Sequence, residues 1–266
     1  MSKSKTTIKD VAREAGVSTA TVSYVINNRT DIKISDETRK KVLQIINLLD
    51  YSPNQAAQAL AAKRNSTIAI YVPHSDSILV NAEDMIALRR MVSYFNSLKY
   101  DVILLKDDSF EKCDKADAIV CFNASKKSFL SLGNINFIPL IALDCVIDDP
   151  LFFQVNSDPE GLKAQASDYF NGEAYTYLSL KRESEEKELF IRSNFESNET
   201  VSDYVELNAF SDRNLLVTDS VLYSALKDSN NVLYVSTLTD AKLEKLNECI
   251  SSVIAKNPLD QHNVLV

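Results

Sequence analysis

Histidine, cysteine and carboxylate clusters are where proton transfer, nucleophilic attack and metal binding usually reside, and this chain offers few of them. His74 and His262 stand alone and form no zinc-spaced His pair. Cys113, Cys121, Cys145 and Cys249 lie far apart, lacking both the paired spacing of a zinc site and the density of a disulfide scaffold. They read as small core residues. No Gly-rich phosphate loop and no nucleophile elbow occurs. The acidic run from Glu183 to Glu188 reads as a solvated helix face laced by a Glu183–Lys187 pair. The sequence therefore predicts neither an enzyme nor a metal or cofactor site. The residues left to do chemistry are those of recognition, and they crowd one place: Ser18, Thr19, Ala20, Thr21, Ser23 and Tyr24.

The charge pattern points to the same end of the chain. The formal charge is −8, yet residues 1–66 hold 11 Lys/Arg against 6 Asp/Glu, while the remainder holds 18 against 31. A basic head on an acidic body suits a molecule that meets phosphate at one end and keeps the other away from it. With 45% hydrophobic and 25% charged residues in 266, the composition fits a globular protein with a small module and a larger core. No apolar run is long enough to span a membrane. Met1 to Thr7 leads into Asp10, Arg13 and Glu14 rather than into an apolar stretch, so no secretory signal is read and a cytoplasmic location is expected.

Three short amphipathic helices must position the recognition residues. Thr7 and Asp10 have capping-box spacing, and Ile8, Val11, Ala12 and Ala15 share one face. Gly16 suits a tight turn, Val17 plugs the gap behind it, and Ser18 caps a second helix running to about Asn27. In that helix Val22, Val25 and Ile26 face inward and Thr19, Ala20, Ser23 and Tyr24 face outward. Such a pair is a helix-turn-helix. A third helix starts at Ser35, with Asp36 and Glu37 in its first turn and Val42, Ile45, Ile46 and Leu49 at helical spacing, and stops at Tyr51-Ser52-Pro53.

The string Thr7-Ile8-Lys9-Asp10-Val11-Ala12-Arg13-Glu14-Ala15-Gly16-Val17-Ser18, followed by Thr21-Val22-Ser23-Tyr24-Val25-Ile26-Asn27, resembles the headpiece of the LacI/GalR-type repressor family. The likeness continues through Ser35, Thr38-Arg39-Lys40-Lys41-Val42 and Tyr51-Ser52-Pro53-Asn54 to Ala57-Gln58-Ala59-Leu60. It implies that the second helix enters the major groove of a double-stranded DNA operator. Thr19, Ala20 and Tyr24 would read bases, and Ser18, Thr21, Ser23, Asn27, Ser35 and Thr38 would hold phosphates. It also implies a hinge helix around Asn54, Ala57, Gln58 and Leu60, with Leu60 wedged into the minor groove at the axis of a homodimer. Gln58 stands where the family commonly has Arg, which removes a cation from that groove.

From Ser66 onward the pattern changes to short apolar strands between helices. Ile68–Val72, Val102–Leu105, Ala118–Cys121 and Pro139–Leu143 read as buried parallel strands, with a helix at Ala82–Leu98. A helix after Asp158-Pro159 and strands at Tyr175–Leu180, Leu215–Thr218 and Val232–Val235 follow. The fold class expected is an all-α helix-turn-helix headpiece on a doubly wound α/β core. By resemblance, that core is a two-lobed fold of the periplasmic-binding-protein type, shortened, with an effector between its lobes. The division expected is a headpiece over 1–50, a hinge and linker over 51–65, and a regulatory and dimerisation core over 66–266.

Several effector positions depart from the family pattern. Lys187-Glu188-Leu189-Phe190-Ile191 stands where an effector-binding Arg is usual, Leu222 and Ser224 follow the Thr218-Asp219 turn, and Tyr234-Val235-Ser236-Thr237 replaces a late Gly-aromatic-Asp signature. Asp144 and Asp219 have the chemistry to hold a polyol or a cation, though a solvated or capping role is the plainer expectation. Arg192 is read as a surface residue beside Glu188. Two readings follow: a repressor answering to a sugar or other metabolite, or one whose core serves dimerisation or protein docking.

Overall fold

In the computed structural model, residues 6–26, 32–49, 51, 66–105, 112–255 and 261–266 are described. Their contacts divide the chain into two compact units, Met1–Arg64 and Asn65–Val266.

The first unit holds α1 (Ile8–Ala15), α2 (Thr19–Ile26) and α3 (Asp36–Leu48). The Asp10 carboxylate accepts bonds from both the backbone N–H and the hydroxyl of Thr7, closing the start of α1. At its far end Gly16 adopts φ 69° and ψ 33°, and the N–H groups of Gly16 and Val17 return to Arg13 and Ala12. Ser18 and Ser35 cap the next two helices by accepting from the Thr21 and Thr38 N–H groups. Val11, Ala12, Ala15, Val22, Val25 and Val42 form the buried centre.

The second unit is α/β, with two parallel sheets. Its first lobe contains β1 (Thr67–Tyr71), α4 (Ile78–Ser97), β2 (Asp101–Leu104), β3 (Ala118–Phe122), α5 (Lys126–Ile135), β4 (Leu140–Leu143) and β5 (Phe153–Asn156). The chain then builds a second lobe from α6 (Pro159–Tyr169), β6 (Thr176–Leu180), α7 (Glu185–Asn194), β7 (Asn198–Val201), a 3-10 turn at Tyr204–Ala209, β8 (Asn214–Val217), α8 (Ser220–Leu226) and β9 (Asn231–Tyr234). It returns to the first lobe through α9 (Asp240–Ala255) and β10 (Asn263–Leu265). The strand orders are β10-β5-β4-β3-β1-β2 and β7-β6-β8-β9, with every pairing parallel.

Both faces of the first sheet are dry, as the continuous apolar runs predict. Ile68, Ile70, Val120 and Ile141 pack with Met91 and Phe95 of α4 and with Leu243, Leu246 and Ile250 of α9. On the opposite face Ala69, Ile119, Cys121 and Ala142 pack with Phe129 and Leu132 of α5. The second sheet is likewise covered, by Leu222 and Leu226 of α8 on one face and by Leu162 and Ala166 of α6 on the other. Val80, in the first turn of α4, belongs to the second lobe's core while Met91 and Phe95 belong to the first lobe's. One helix thus serves both lobes. Between β2 and β3 the described residues 112–117 carry no helix.

Candidate nucleic-acid interface and inter-lobe cleft

On the head, Ser18, Thr19 and Ala20 are exposed and Thr21, Ser23 and Tyr24 half-buried, so the outer face of α2 presents hydroxyls, methyls and one phenol. The hydroxyls of Ser18 and Thr21 lie 2.9 Å apart, and that of Ser35 donates to Thr38 at 2.8 Å. These short side chains are held by the helix caps themselves, so each hydroxyl sits in the first turn of a helix. That is a suitable clasp for an oxyanion. Asn27, Asn54, Ala57, Gln58 and Leu60 lie outside the described residues.

In the body, the carboxyl ends of the parallel strands open on a cleft between the lobes, where α/β folds place ligands. Asn123 and Asp144 follow directly on β3 and β4, with φ of 52° and 53° in the left-handed region. Arg182 and Asp219 stand two residues beyond β6 and β8. The Asp84 carboxylate of α4 accepts from Arg182 Nη1 at 2.8 and 3.0 Å and from Asn123 Nδ2 at 3.2 Å. Arg182 Nη2 lies 3.8 Å from Asp219 Oδ1, and the Leu180 N–H donates to Asp219 Oδ2 at 3.0 Å. Glu83 Oε2 accepts from the Ser220 hydroxyl at 2.8 Å and the Val221 N–H at 2.9 Å, where α8 begins. Lys187 Nζ donates to Asn123 Oδ1 at 2.8 Å and to the Asp144 carbonyl at 3.3 Å. Lys242 is fully buried; its ammonium donates to Asp144 Oδ1 and, at 2.9 Å each, to Ser157 Oγ and the Thr237 carbonyl.

Burial sets the electrostatics of this cluster. Desolvation raises the Asp219 carboxyl above its ordinary range, against the pull of Arg182 and the Leu180 N–H. It depresses the Lys187 ammonium, against the attraction of Asp144. It also raises the Tyr177 phenol, whose hydroxyl lies 3.1 Å from that of Thr218. The Cys145 thiol is pushed up to about 12, which keeps it protonated and inert. Among these packed groups a cavity of about 70 Å³ remains, lined in part by Asp144, Ser179, Tyr177 and Phe190. Asp144 Oδ2 and Ser179 Oγ are buried without a partner among the described residues.

Residues 7–54 match the family model described as "Bacterial regulatory proteins, lacI family". Catabolite control protein A of Streptococcus mutans is 42% identical over 102 residues, covering 38% of this chain and 29% of the relative. The HTH-type transcriptional regulator DegA of Bacillus subtilis is 54% identical over 69 residues, covering 26% and 20%. Over these N-terminal residues the chain is similar to lacI-family regulators. These matches span less than a third of the relatives' own lengths. The whole fold is similar to the Lac repressor dimer bound to operator and the anti-inducer ONPF, with TM-score 0.57 and 16% identity over 99% of this chain and 96% of that one.

The structure corrects two expectations from sequence. Asp144 and Asp219 are not solvated: both are buried, at 5% and 7% exposure, and although Asp219 occupies the N-cap position of α8, its side chain makes no capping bond there. The acidic run is not laced by Glu183 and Lys187, because α7 begins at Glu185 and Lys187 turns into the cleft. The cleft lining carries Glu83, Asp144, Arg182, Lys187 and Asp219. Arg192 does lie exposed and pairs with Glu188. Glu83, Asp84, Asn123, Arg182 and Lys242 escaped the sequence reading. A signal existed for three of them, since Glu83 and Asp84 share a helical face with Val80, Ala87 and Met91, as Lys242 does with Leu246 and Cys249. Charges on an apolar stripe are costly unless paired.

Proposed function

We propose that this protein is a LacI/GalR-type, sequence-specific DNA-binding transcription regulator, a repressor that occupies a palindromic operator as a homodimer. The observation that carries this reading is the outer face of α2, with Thr19 and Ala20 exposed on a helix-turn-helix in the basic segment of an otherwise acidic chain. Thr19, Ala20 and Tyr24 read base edges; Ser18, Thr21, Ser23, Asn27, Ser35 and Thr38 hold phosphate oxygens. Residues 1–50 form the reading head, and 51–65 the hinge, with Asn54, Ala57, Gln58 and Leu60 at the minor groove. Residues 66–266 form the body.

Three short base-reading side chains are too few for one head to select a site in a genome, so two copies are required. The body offers a face for the second copy: Ile78, Met85 and Ile86 of α4 are 76%, 51% and 50% exposed and share one side of that helix. The protein acts in the cytoplasm, and its work is binding rather than catalysis. The second reading, a core that answers to a sugar or similar metabolite, draws on the buried carboxylates Asp144 and Asp219 in the cleft. A core confined to dimerisation or protein docking draws on how little of the cleft is open.

Selection of binding sites from random duplexes, with ultracentrifugation of the complex, tests the assignment. The parent should recover a palindrome bound by two chains. Tyr24→Ala should lose base preference within each half-site, by about 1–3 kcal/mol per good contact. Thr21→Ala should weaken all sequences alike. Identical preferences in Tyr24→Ala and the parent would remove α2 from the major groove.

A further inference from the structure

We propose that the cleft between the two lobes is a latch built from the protein's own charges, which holds the lobes closed without any effector. The inference rests on the body being the regulatory core of a DNA-binding protein, and concerns how that core is governed.

Among the described residues four bridges cross the cleft, each with a foot in either lobe. Arg182 of the second lobe grips Asp84 of the first through both carboxylate oxygens, with side-chain exposures of 10% and 7%. Lys187 reaches from α7 to Asn123 and to the Asp144 carbonyl at the ends of first-lobe strands. Glu83 of α4 accepts two bonds from the start of α8. Ser77, at the head of α4, donates to the Ser202 carbonyl at 2.9 Å. A ligand that closes two lobes does so by hydrogen-bonding to both at once, and here side chains of the chain already do so.

The space left agrees. About 70 Å³ is well short of the roughly 300–1,000 Å³ of sites for drug-sized ligands, and suits a few waters at about 10–15 Å³ each. Asp144 Oδ2 and Ser179 Oγ, buried without a partner among the described residues, belong to side chains that line this space and are groups that such waters satisfy. Opening the lobes would break these bonds, leaving water to replace the lost partners, and would withdraw the apolar Val80 from the second lobe's core. Closure is therefore intrinsic, and a change in it must come from outside the cleft.

The test uses full-length protein with spin labels at Lys127→Cys and Glu185→Cys, two exposed positions on opposite rims of the cleft mouth. The native cysteines are buried and do not compete for label. Without ligand, the parent should give one short, narrow distance distribution that a panel of sugars, nucleosides and sugar phosphates leaves unchanged. Arg182→Met combined with Lys187→Met should broaden it toward longer distances. Glu83→Gln, a milder change that spares the fold, should do so to a smaller degree. A long-distance population in the unliganded parent that any panel compound collapses would overturn the latch in favour of an effector trap. A folded double variant with the parent's distribution would overturn it too. Operator binding measured on the same samples separates the two proposals, because a chain that binds no DNA yet stays closed defeats the regulator reading and leaves the latch standing.

Discussion

Asp84 and Asp219 both depend on one guanidinium, so Arg182 is the residue whose loss should be felt most. Replacing both partners of a buried ion pair with apolar groups is often harmless, whereas removing one strands the other. Arg182→Met should cost about 3–5 kcal/mol in denaturant unfolding, and adding Asp84→Leu should restore part of it. A loss below about 1 kcal/mol would mean that the pair is solvated, against its observed burial. Lys187 gives a different signature. Burial depresses its folded-state pKa below 10.5, so between that depressed value and 10.5 the unfolded chain binds more protons than the folded one. Stability should thus rise with pH across this window, and the rise should vanish in Lys187→Met. Subtracting the two pH profiles cancels Tyr177, whose raised pKa acts in the opposite sense, its stabilisation being lost as pH climbs through the folded value.

Gly16 closes α1 at a positive φ, and a Cβ built there meets nothing nearer than the flexible end of Lys41 at 3.8 Å. The cost of Gly16→Ala is therefore conformational alone, about 1–2 kcal/mol. In so small a unit that should lower the head's melting midpoint while leaving the body's transition in place, as circular dichroism would record. The head was legible in sequence because its caps and its apolar spacing agree with each other. Strands such as Thr67–Tyr71 and Ala118–Phe122 were legible because both their faces are apolar. β5 was not. Its residues Phe153-Gln154-Val155-Asn156 carry two amides into the core, and these are satisfied by loop backbone, Gln154 accepting from Ile147 N–H at 3.0 Å and Asn156 donating to the Cys145 carbonyl at 3.1 Å. No local pattern announces such partners. Likewise α7 has no buried residue by which its face could be read, and the direction of Lys187 is decided by the opposite lobe. The charges of the cleft were visible one by one, but their pairing belongs to the tertiary fold.

For the whole molecule, the contrast between head and body has a measurable consequence. Operator affinity should fall steeply between about 50 and 200 mM salt, by roughly a thousandfold or more if six or more phosphates are neutralised. A flat dependence, measured by fluorescence anisotropy on full-length protein, would remove phosphate contact from the head.

The return of the chain to its first lobe bears on the order in which the body takes shape. The second lobe's sheet is one uninterrupted stretch, from Thr176 to Tyr234, whereas the first lobe's core needs Leu243, Leu246 and Ile250 from α9, and its sheet gains an edge when Asn263–Leu265 pairs with Phe153–Asn156. During synthesis the inserted lobe can close while the lobe that encloses it in sequence still lacks one covering helix. Met91, Phe95, Ile141 and Phe153 then wait with an uncovered flank for residues made roughly a hundred positions later. The half begun first is finished last, and that interval is when a nascent chain of this design is most open to chaperones and to its own neighbours.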